Sequence, residues 1–368
     1  MTTLALGLMS GTSADGVSAA LGAFGAHSFK LIGHLTDPYP PQIRERIRRA
    51  NTLSAAELSS LNVEIGEAFA KAAIHLFKKT KIKATKVACV GSHGQTIYHG
   101  PRDKHPNTLQ IGEPAVIAEK TGIPVISHFR QKDIAAGGEG APLIPFFDHF
   151  FFGNGSVRAF QNIGGISNVT VVGKGIKSPI AFDNGPGNGL MDAAVRLITR
   201  RKESLDAQGK RAERGSIDLV ILHAMMKTPY FKKAPPKSTG LELFGENFVK
   251  QYFGRRLVSH PNDVLATLNF FTALTIQESY KSFVFPKHHV SEIVVSGGGI
   301  HNTMLMKNLA SLFAPIPVKR IDAFGIPSQA KEPLAFAFFG LRAFQNKINH
   351  IPACTGAKRA CVLGSLTR

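Results

Sequence analysis

The chain has 368 residues, a hydrophobic content of 43% and a formal net charge of +19. This length exceeds the size at which one core usually stops growing, so two domains are expected, and the composition excludes a disordered or fibrous protein. Three scattered cysteines are too few for a disulfide framework or a zinc site and are typical of the cytoplasm. No apolar run approaches membrane-spanning length, and no basic leader precedes the first one, so neither a membrane span nor a secretory signal is expected.

The positive charge raises the question of nucleic-acid binding, since basic surfaces attract phosphate backbones. The lysines and arginines are scattered through helical faces and loops, as in residues 44–49 and 78–83, and no recognisable nucleic-acid module accompanies them. A generally basic proteome or an anionic substrate explains the charge more simply. Nucleic-acid binding therefore stays a minor alternative.

The N-terminus is predicted to form a hairpin. Residues 4–9 and 17–21 are apolar and indicate two strands, and the Asp15-Gly16 pair between them favours a turn. The tip of this segment carries backbone N–H groups, the hydroxyls of Thr12 and Ser13, and a carboxylate, which can cradle phosphate and position Mg²⁺. An ordinary hairpin turn explains the same residues equally well.

The first half continues with a helix and a strand. Ser54 and Glu57 form a capping-box pattern, and apolar residues follow at helical spacing. Residues 86–90 indicate a buried strand that leads into a polar turn at 91–96. The aromatic segment 146–152 is interrupted by charge, so it is predicted to be core rather than a membrane segment.

The second half contains another set of strands and helices. Its predicted strands lie at 158–163, 167–172, 180–182 and 293–295, and its predicted helices at 190–201, 302–313 and 333–344. Strand–turn–strand near residue 160 repeats the arrangement at the N-terminus, which favours two related α/β halves. A cleft between such halves would be the natural ligand site.

Two glycine-rich turns follow apolar strands in this half. Asp183 ends one strand, where a carboxylate can act as a general base, and Gly185 and Gly187 allow close approach of phosphate. The alternative is that Asp183 caps the next helix. The glycines in residues 296–302 present a flat surface on which a ring could lie. The alternative is that this segment is a tight strand-to-helix connection. Neither a dinucleotide fingerprint nor a P-loop occurs.

Three further loops carry polar side chains. His93, with His99 nearby, is predicted to contact a polar ligand rather than a metal. Arg130 suits bidentate carboxylate recognition, although an ion pair with Asp133 is an equal alternative. The loop at 237–240 is either a flap that closes over substrate or a surface connection.

Taken in order along the chain, these motifs resemble the anhydro-N-acetylmuramic acid kinases of the actin-like and sugar-kinase ATPase superfamily. The matching stretches cover nearly the whole chain and are residues 7–16, 91–96, 129–135, 162–168, 183–188, 235–240 and 296–302. The resemblance implies an α/β fold of two ribonuclease-H-like domains, with mixed sheets flanked by helices and an interdomain cleft. The implied domains are 1–128, completed by 331–368, and 129–330.

The resemblance also implies a reaction. The 1,6-anhydro ring of anhydro-N-acetylmuramic acid is opened by water and O6 is phosphorylated, giving N-acetylmuramic acid 6-phosphate and ADP in peptidoglycan recycling. ATP and Mg²⁺ are the implied cofactors, and a cytoplasmic homodimer without nucleic-acid or membrane partners is expected. The alternatives are another hexose or amino-sugar kinase and a nucleotide-dependent binding module.

Site residues follow from the matched positions. Asp183 is implied as the base, and Asp15 as the magnesium contact through water. The implied ATP and phosphate contacts are Gly11, Thr12, Ser13, Ala14, Asp15, Gly16, Val17, Ser18, Asn162, Gly164, Gly165, Gly185, Gly187, Asn188, Gly297, Gly298 and Gly299. The implied substrate contacts are His93, Gln95, Thr96, Arg130, Asp133, Lys237, Ser238 and Glu332.

Overall fold

The computed structural model describes residues 2–11 and 14–368. Its strands within these residues are β1 (Thr3–Ser10), β2 (Gly16–Phe24), β3 (Phe29–Pro38), β4 (Val87–Gly100), β5 (Asn107–Ile111), β6 (Val125–Ser127), β7 (Arg158–Ile163), β8 (Ile166–Val172), β9 (Ile180–Pro186), β10 (Glu292–Ser296), β11 (Val318–Arg320) and β12 (Ser365–Thr367).

The helices of the same residues are α1 (Pro41–Arg48), α2 (Ala55–Thr80), α3 (Pro114–Thr121), α4 (Phe129–Ala135), α5 (Ile144–Phe152), α6 (Gly189–Ile198), α7 (Lys210–Glu213), α8 (Leu219–Met226), α9 (Glu246–Phe253), α10 (Arg256–Ser259), α11 (Pro261–Phe283), α12 (Thr303–Phe313), α13 (Ser328–Phe344) and α14 (Pro352–Thr355). Within the described part of the chain, no helix is long and apolar enough to cross a bilayer.

The chain divides into two compact units. The first unit comprises Met1–Phe151 and Gly325–Arg368, and the second comprises Phe152–Phe324. The sequence-based division assigned residues 129–151 to the second domain, whereas they belong to the first unit. The reason is aromatic packing: the ring of Phe129 lies 5.6 Å from that of Phe336, and that of Phe151 lies 4.7 Å from that of Phe338.

Both units are built on a mixed sheet with the same strand order. In the first, β2 pairs antiparallel with β1 and β3, while β4 is parallel to β1 and β6 is parallel to β4. In the second, β8 pairs antiparallel with β7 and β9, while β10 is parallel to β7 and β11 is parallel to β10. The prediction of two related α/β halves is confirmed.

Helix α13 lies directly on the first sheet because glycines leave room for it. A Cβ at Gly7 would overlap the carbonyl oxygen of Pro333, and a Cβ at Gly91 would overlap that of Phe336. Residues with larger side chains would hold the helix away from β1 and β4, so these glycines determine how closely the C-terminal helix packs.

Local sequence signals account for most helix ends. The capping box at Ser54 is present, and Asn302 caps α12 by accepting a hydrogen bond from the Leu305 amide at 3.0 Å. The polar turn predicted at residues 91–96 is wrong, because β4 continues through it to Gly100. Helix α13 begins at Ser328, ahead of the predicted start at 333, with Pro333 inside its N-terminal part.

Candidate active site

Asp183 lies on β9 and is held by the chain around it. Its Oδ2 accepts a hydrogen bond from the Thr239 amide at 3.0 Å, its amide donates to the Lys237 carbonyl at 3.1 Å, and its carbonyl accepts from the Tyr230 hydroxyl at 2.8 Å. The residue at the N-cap of α6 is Asn188, not Asp183. The helix-cap alternative is therefore excluded, and the carboxylate has a fixed orientation.

The carboxyl group of Asp183 has a pKa close to neutral pH. Burial raises the pKa of its carboxyl to about 6 and the nearby Glu242 raises it as well, whereas the Thr239 amide and the Lys237 ammonium act in the opposite direction. A carboxylate with this pKa is ionised at neutral pH and accepts a proton more readily than an ordinary aspartate, as general-base chemistry requires.

Lys237 is buried rather than displayed on a loop surface. It is 7% exposed, and its Nζ lies 4.7 Å from the ring centre of Phe283, 4.9 Å from that of Tyr230 and 5.7 Å from that of Phe182. Among the described residues its Nζ has no hydrogen-bond partner. The sequence predicts either a substrate flap or a surface connection for this loop, and neither prediction places Lys237 in the interior. The next residue, Ser238, is exposed.

The glycine turns of the second unit meet at one end of its sheet. Backbone hydrogen bonds of 2.7–3.0 Å run from the amides of Gly187, Asn188 and Gly189 to the carbonyls of Gly164 and Gly165. This arrangement packs the turn after β7 against the start of α6, whose N-terminal end favours an anion through the helix dipole.

The third glycine turn joins the other two. A Cβ at Gly297 would lie 2.5 Å from the Ile163 carbonyl oxygen and 2.6 Å from Asn162 Oδ1, and a Cβ at Gly298 would lie 3.5 Å from Asn188 Nδ2. Asn162 and the three turns predicted for nucleotide binding therefore lie together in the second unit.

Gly185 has a different environment. A Cβ there would lie 2.8 Å from the ring of Phe231, so packing alone requires a glycine. Beneath it a buried network runs from Tyr280 through Gln161 and Asn184 to Ser279, with hydrogen bonds of 2.7–3.0 Å. Sequence reasoning missed this network, because its members are far apart along the chain and carry no motif.

The N-terminal turn is tied to the strand that carries His93. Ser10 Oγ lies 2.6 Å from Gln95 Oε1, and Gln95 Nε2 donates to the Gly11 carbonyl at 3.3 Å. Gln95 is 1% exposed, so it positions this turn instead of presenting an amide to a sugar. Thr12 and Ser13 lie outside the described residues.

Several other groups of the N-terminal turn already have partners within the protein. The Ala14 amide donates to the Gly11 carbonyl at 3.0 Å, Val17 is buried, and Ser18 Oγ lies 3.0 Å from Thr36 Oγ1. The Gly16 Cα lies tight against the Asp37 backbone, where a Cβ would overlap the carbonyl oxygen. Among the described residues of the turn, the groups left for a ligand are backbone groups and the Asp15 carboxylate.

Asp15 is the exposed carboxylate of this turn. Its side chain is 67% exposed, and Arg44 Nη2 lies 3.9 Å from its Oδ1. Within the described residues no group of three or more histidine, cysteine or acidic side chains is placed to hold a metal. A lone exposed carboxylate fits Mg²⁺ contacted through water, since this ion keeps several waters and needs few protein ligands.

Arg130 is held by two acceptors. Its Nε donates to His93 Nε2 at 2.9 Å and its Nη1 donates to the Gly140 carbonyl at 2.7 Å. Burial, together with the Arg130 charge, holds the pKa of His93 well below its usual value, so the imidazole is neutral and accepts this bond. The remaining Nη2 of Arg130 is oriented by these contacts and suits a carboxylate.

Asp133 is fully buried and has no access to a ligand. Its Oδ1 accepts hydrogen bonds from His350 at 2.8 Å and Thr355 at 2.7 Å, and its Oδ2 accepts from the Gly140 amide at 2.7 Å. Asp133 therefore fixes the loop that contacts Arg130, and neither the predicted substrate contact nor the alternative ion pair describes its place.

Thr96 and Glu332, the two remaining predicted substrate contacts, are partly buried. Burial raises the pKa of the Glu332 carboxyl, while Lys331 and Arg130 oppose this change. Thr96 lies on β4, one residue beyond Gln95. Both belong to the first unit, as does the histidine–arginine pair.

These features define a mixed α/β protein in which an oriented carboxylate of raised pKa lies in the same unit as three joined glycine turns. The sequence matches the family described as anhydro-N-acetylmuramic acid kinase over residues 3–368, and the chain belongs to that family. It is accordingly an enzyme of the kinase class.

Curated relatives with the same description cover nearly the full chain. The protein of Caldanaerobacter subterraneus subsp. tengcongensis is 39% identical over 99% of this chain and 96% of its own length. That of Streptomyces coelicolor is 41% identical over 98% and 93%, and that of Clostridioides difficile is 38% identical over 98% and 97%.

Proposed function

We propose that this chain uses ATP to convert anhydro-N-acetylmuramic acid into N-acetylmuramic acid 6-phosphate in the cytoplasmic recycling of peptidoglycan. The observation that carries the proposal is the Asp183 carboxylate, oriented by Thr239 and with a pKa of about 6, in a chain that belongs to this kinase family. A hydrolytic ring opening needs a base that is ionised at neutral pH, and this carboxylate meets that requirement.

Asp183 acts on the attacking water. The water gives a proton to a carboxylate oxygen while its own oxygen bonds to the anomeric carbon, and the bond from that carbon to O6 breaks. O6 leaves with the electron pair and then attacks the γ-phosphorus of ATP, so that ADP departs. One base is sufficient because the leaving group of the first step is the nucleophile of the second.

The glycine turns and the N-terminal turn bind ATP. Gly297, Gly298 and Gly299 lie against the nucleoside, while Gly164, Gly165, Gly187 and Asn188 line the phosphates, which the glycines allow to approach the backbone closely. The segment from Gly11 to Ser18, including Thr12 and Ser13, holds the β- and γ-phosphates. When bound, Mg²⁺ neutralises phosphate charge, with Asp15 as its water-mediated contact.

Arg130 recognises the lactate carboxylate of the sugar, to which its remaining nitrogen, Nη2, donates a charge-assisted hydrogen bond. Support comes from its two fixed contacts, to His93 and to the Gly140 carbonyl, which leave one nitrogen oriented. Thr96, Ser238 and Glu332 are further sugar contacts in this proposal. A homodimer is part of it too, and light scattering of the purified protein tests that assembly.

Asp183→Asn tests the assignment of the base. The variant keeps an oxygen that accepts the Thr239 hydrogen bond and loses the basic oxygen, so turnover should fall below detection while ATP binds as in the wild type. Parallel activity assays and nucleotide titrations measure both quantities. Substantial remaining turnover would remove Asp183 from its role, and a matching loss of ATP affinity would indicate a collapsed site instead.

A further inference from the structure

The Lys237 ammonium is enclosed by aromatic rings. Phe283, Tyr230 and Phe182 face it at 4.7, 4.9 and 5.7 Å, and the residue is 7% exposed. Ring faces attract a cation, but they replace the hydrogen bonds of water only in part. Nζ has no hydrogen-bond partner among the described residues, and the Asp183 charge favours the charged form of this ammonium.

The aromatic cage and the Asp183 carboxylate are parts of one structure. Phe182 directly precedes Asp183 on β9, and Tyr230 contributes both a ring of the cage and the hydroxyl that donates to the Asp183 carbonyl. The Lys237 carbonyl in turn accepts the Asp183 amide hydrogen at 3.1 Å. The aromatic rings that enclose the ammonium and the backbone that holds the carboxylate are therefore joined by direct contacts.

We propose that Lys237 is a positioning residue for Asp183, whose caged positive charge keeps the carboxylate ionised, and that it does not contact the sugar. The proposal rests on the proposed function, in which Asp183 is the base. It replaces the expectation that Lys237 binds substrate.

The charges around the pair support this role. The charged groups that act on the Asp183 carboxylate are the Lys237 ammonium and the Glu242 carboxylate. The Thr239 amide donates a hydrogen bond to this carboxylate, and the Tyr230 hydroxyl donates one to the Asp183 backbone carbonyl. The Glu242 charge disfavours ionisation of Asp183, whereas the Lys237 charge favours it. The influence is mutual: burial lowers the pKa of Lys237 to about 8, and the Asp183 charge raises it. Both groups are charged between about pH 6 and pH 8.

Lys237→Met removes the charge while keeping an unbranched apolar side chain inside the cage. The Lys237 charge lowers the Asp183 pKa, and an opposite charge near a carboxyl changes its pKa by about one unit or more, so the acid limb of kcat/KM should move up by about one unit. At pH 6 the ionised fraction of Asp183 then falls from about one half to about one tenth. Activity relative to its plateau should fall about five-fold there.

Two variants serve as controls. Lys237→Arg keeps a cation that aromatic faces accept and should leave the acid limb in place. Tyr230→Phe removes a hydrogen bond at the same site, keeps the ring and the charge, and should also leave the limb in place. If Lys237→Met does not fold, Lys237→Gln provides a second neutral replacement.

A titration without turnover separates this proposal from the proposed function. Carbon NMR of enzyme labelled at aspartate carboxyls, with Asp183→Asn to assign the signal, follows the Asp183 pKa directly. An upward movement in Lys237→Met supports the proposal even if the reaction assignment fails. An unchanged Asp183 titration in the neutral variants overturns it, as does a raised KM for the sugar with the acid limb in its wild-type position.

Discussion

Removing the charge of Asp183 should stabilise the folded protein at the expense of activity. Burial raises the carboxyl pKa from 3.8 to about 6, so above pH 6 the folded state holds an anion that the unfolded state tolerates better. The difference of about two pKa units corresponds to about 3 kcal/mol. Asp183→Asn avoids that cost, while its side-chain oxygen still accepts the hydrogen bond from Thr239.

The pH dependence gives this prediction its sign. The folded state binds the proton more tightly, so the penalty is fully present above pH 6, declines as the pH falls, and vanishes below the unfolded pKa of 3.8. The stability gain of Asp183→Asn should therefore be about 3 kcal/mol at pH 8 and about half of that at pH 5.

Denaturant unfolding of both proteins at the two pH values measures the gain. Since the chain has two compact units, the relevant transition is the one that reports on the second unit, which contains Asp183. A variant that is no more stable than the wild type at pH 8, or a gain of equal size at both pH values, would refute the reasoning that burial of the charge raises this pKa.

Three further outcomes are expected. Wild-type kcat/KM should fall about ten-fold per pH unit below the Asp183 pKa of about 6, measured with both substrates saturable across the range; a flat profile down to pH 5 would contradict a base of this pKa. Gly91→Ala should lower the free energy of unfolding of the first unit by about 3 kcal/mol, because the obstruction is backbone. Gly155→Ala, where the nearest atom is a flexible arginine nitrogen at 3.2 Å, should cost under about 1 kcal/mol. Arg130→Lys should raise the KM for the sugar about ten-fold through loss of the planar fork while ATP affinity is kept, and equal loss of both would place Arg130 elsewhere.

Local patterns predicted the elements whose signals are short-range. The capping box at Ser54, the alternating strand that became β8 and the hairpin pairing of β1 with β2 all follow from residues a few positions apart. The extension of β4 through the glycine-rich stretch at residues 91–96 was missed. Its cause is tertiary, because β1 and β5 supply partners along that stretch and glycine there admits α13.

The same distinction applies to the site. Asp183 could be predicted as a candidate base because a carboxylate after an apolar strand is a recognisable signal. Tyr230 and Phe283 could not, since aromatic residues are ordinary core members until a fold arranges them around an ammonium. His350 and Thr355 lie more than 200 positions from Asp133 along the chain. Sequence spacing therefore gave no indication that they donate hydrogen bonds to its carboxylate.

The most direct test of the central claim is where the oxygen of water ends up. The enzyme is incubated with ATP and anhydro-N-acetylmuramic acid in ¹⁸O-labelled water, quenched quickly and examined by mass spectrometry. Unlabelled product kept in the same water for the same time measures spontaneous exchange. One ¹⁸O at the anomeric hydroxyl above that background, with none in the phosphate, is the predicted result. Product without anomeric label would contradict attack of water on that carbon and with it the role of Asp183.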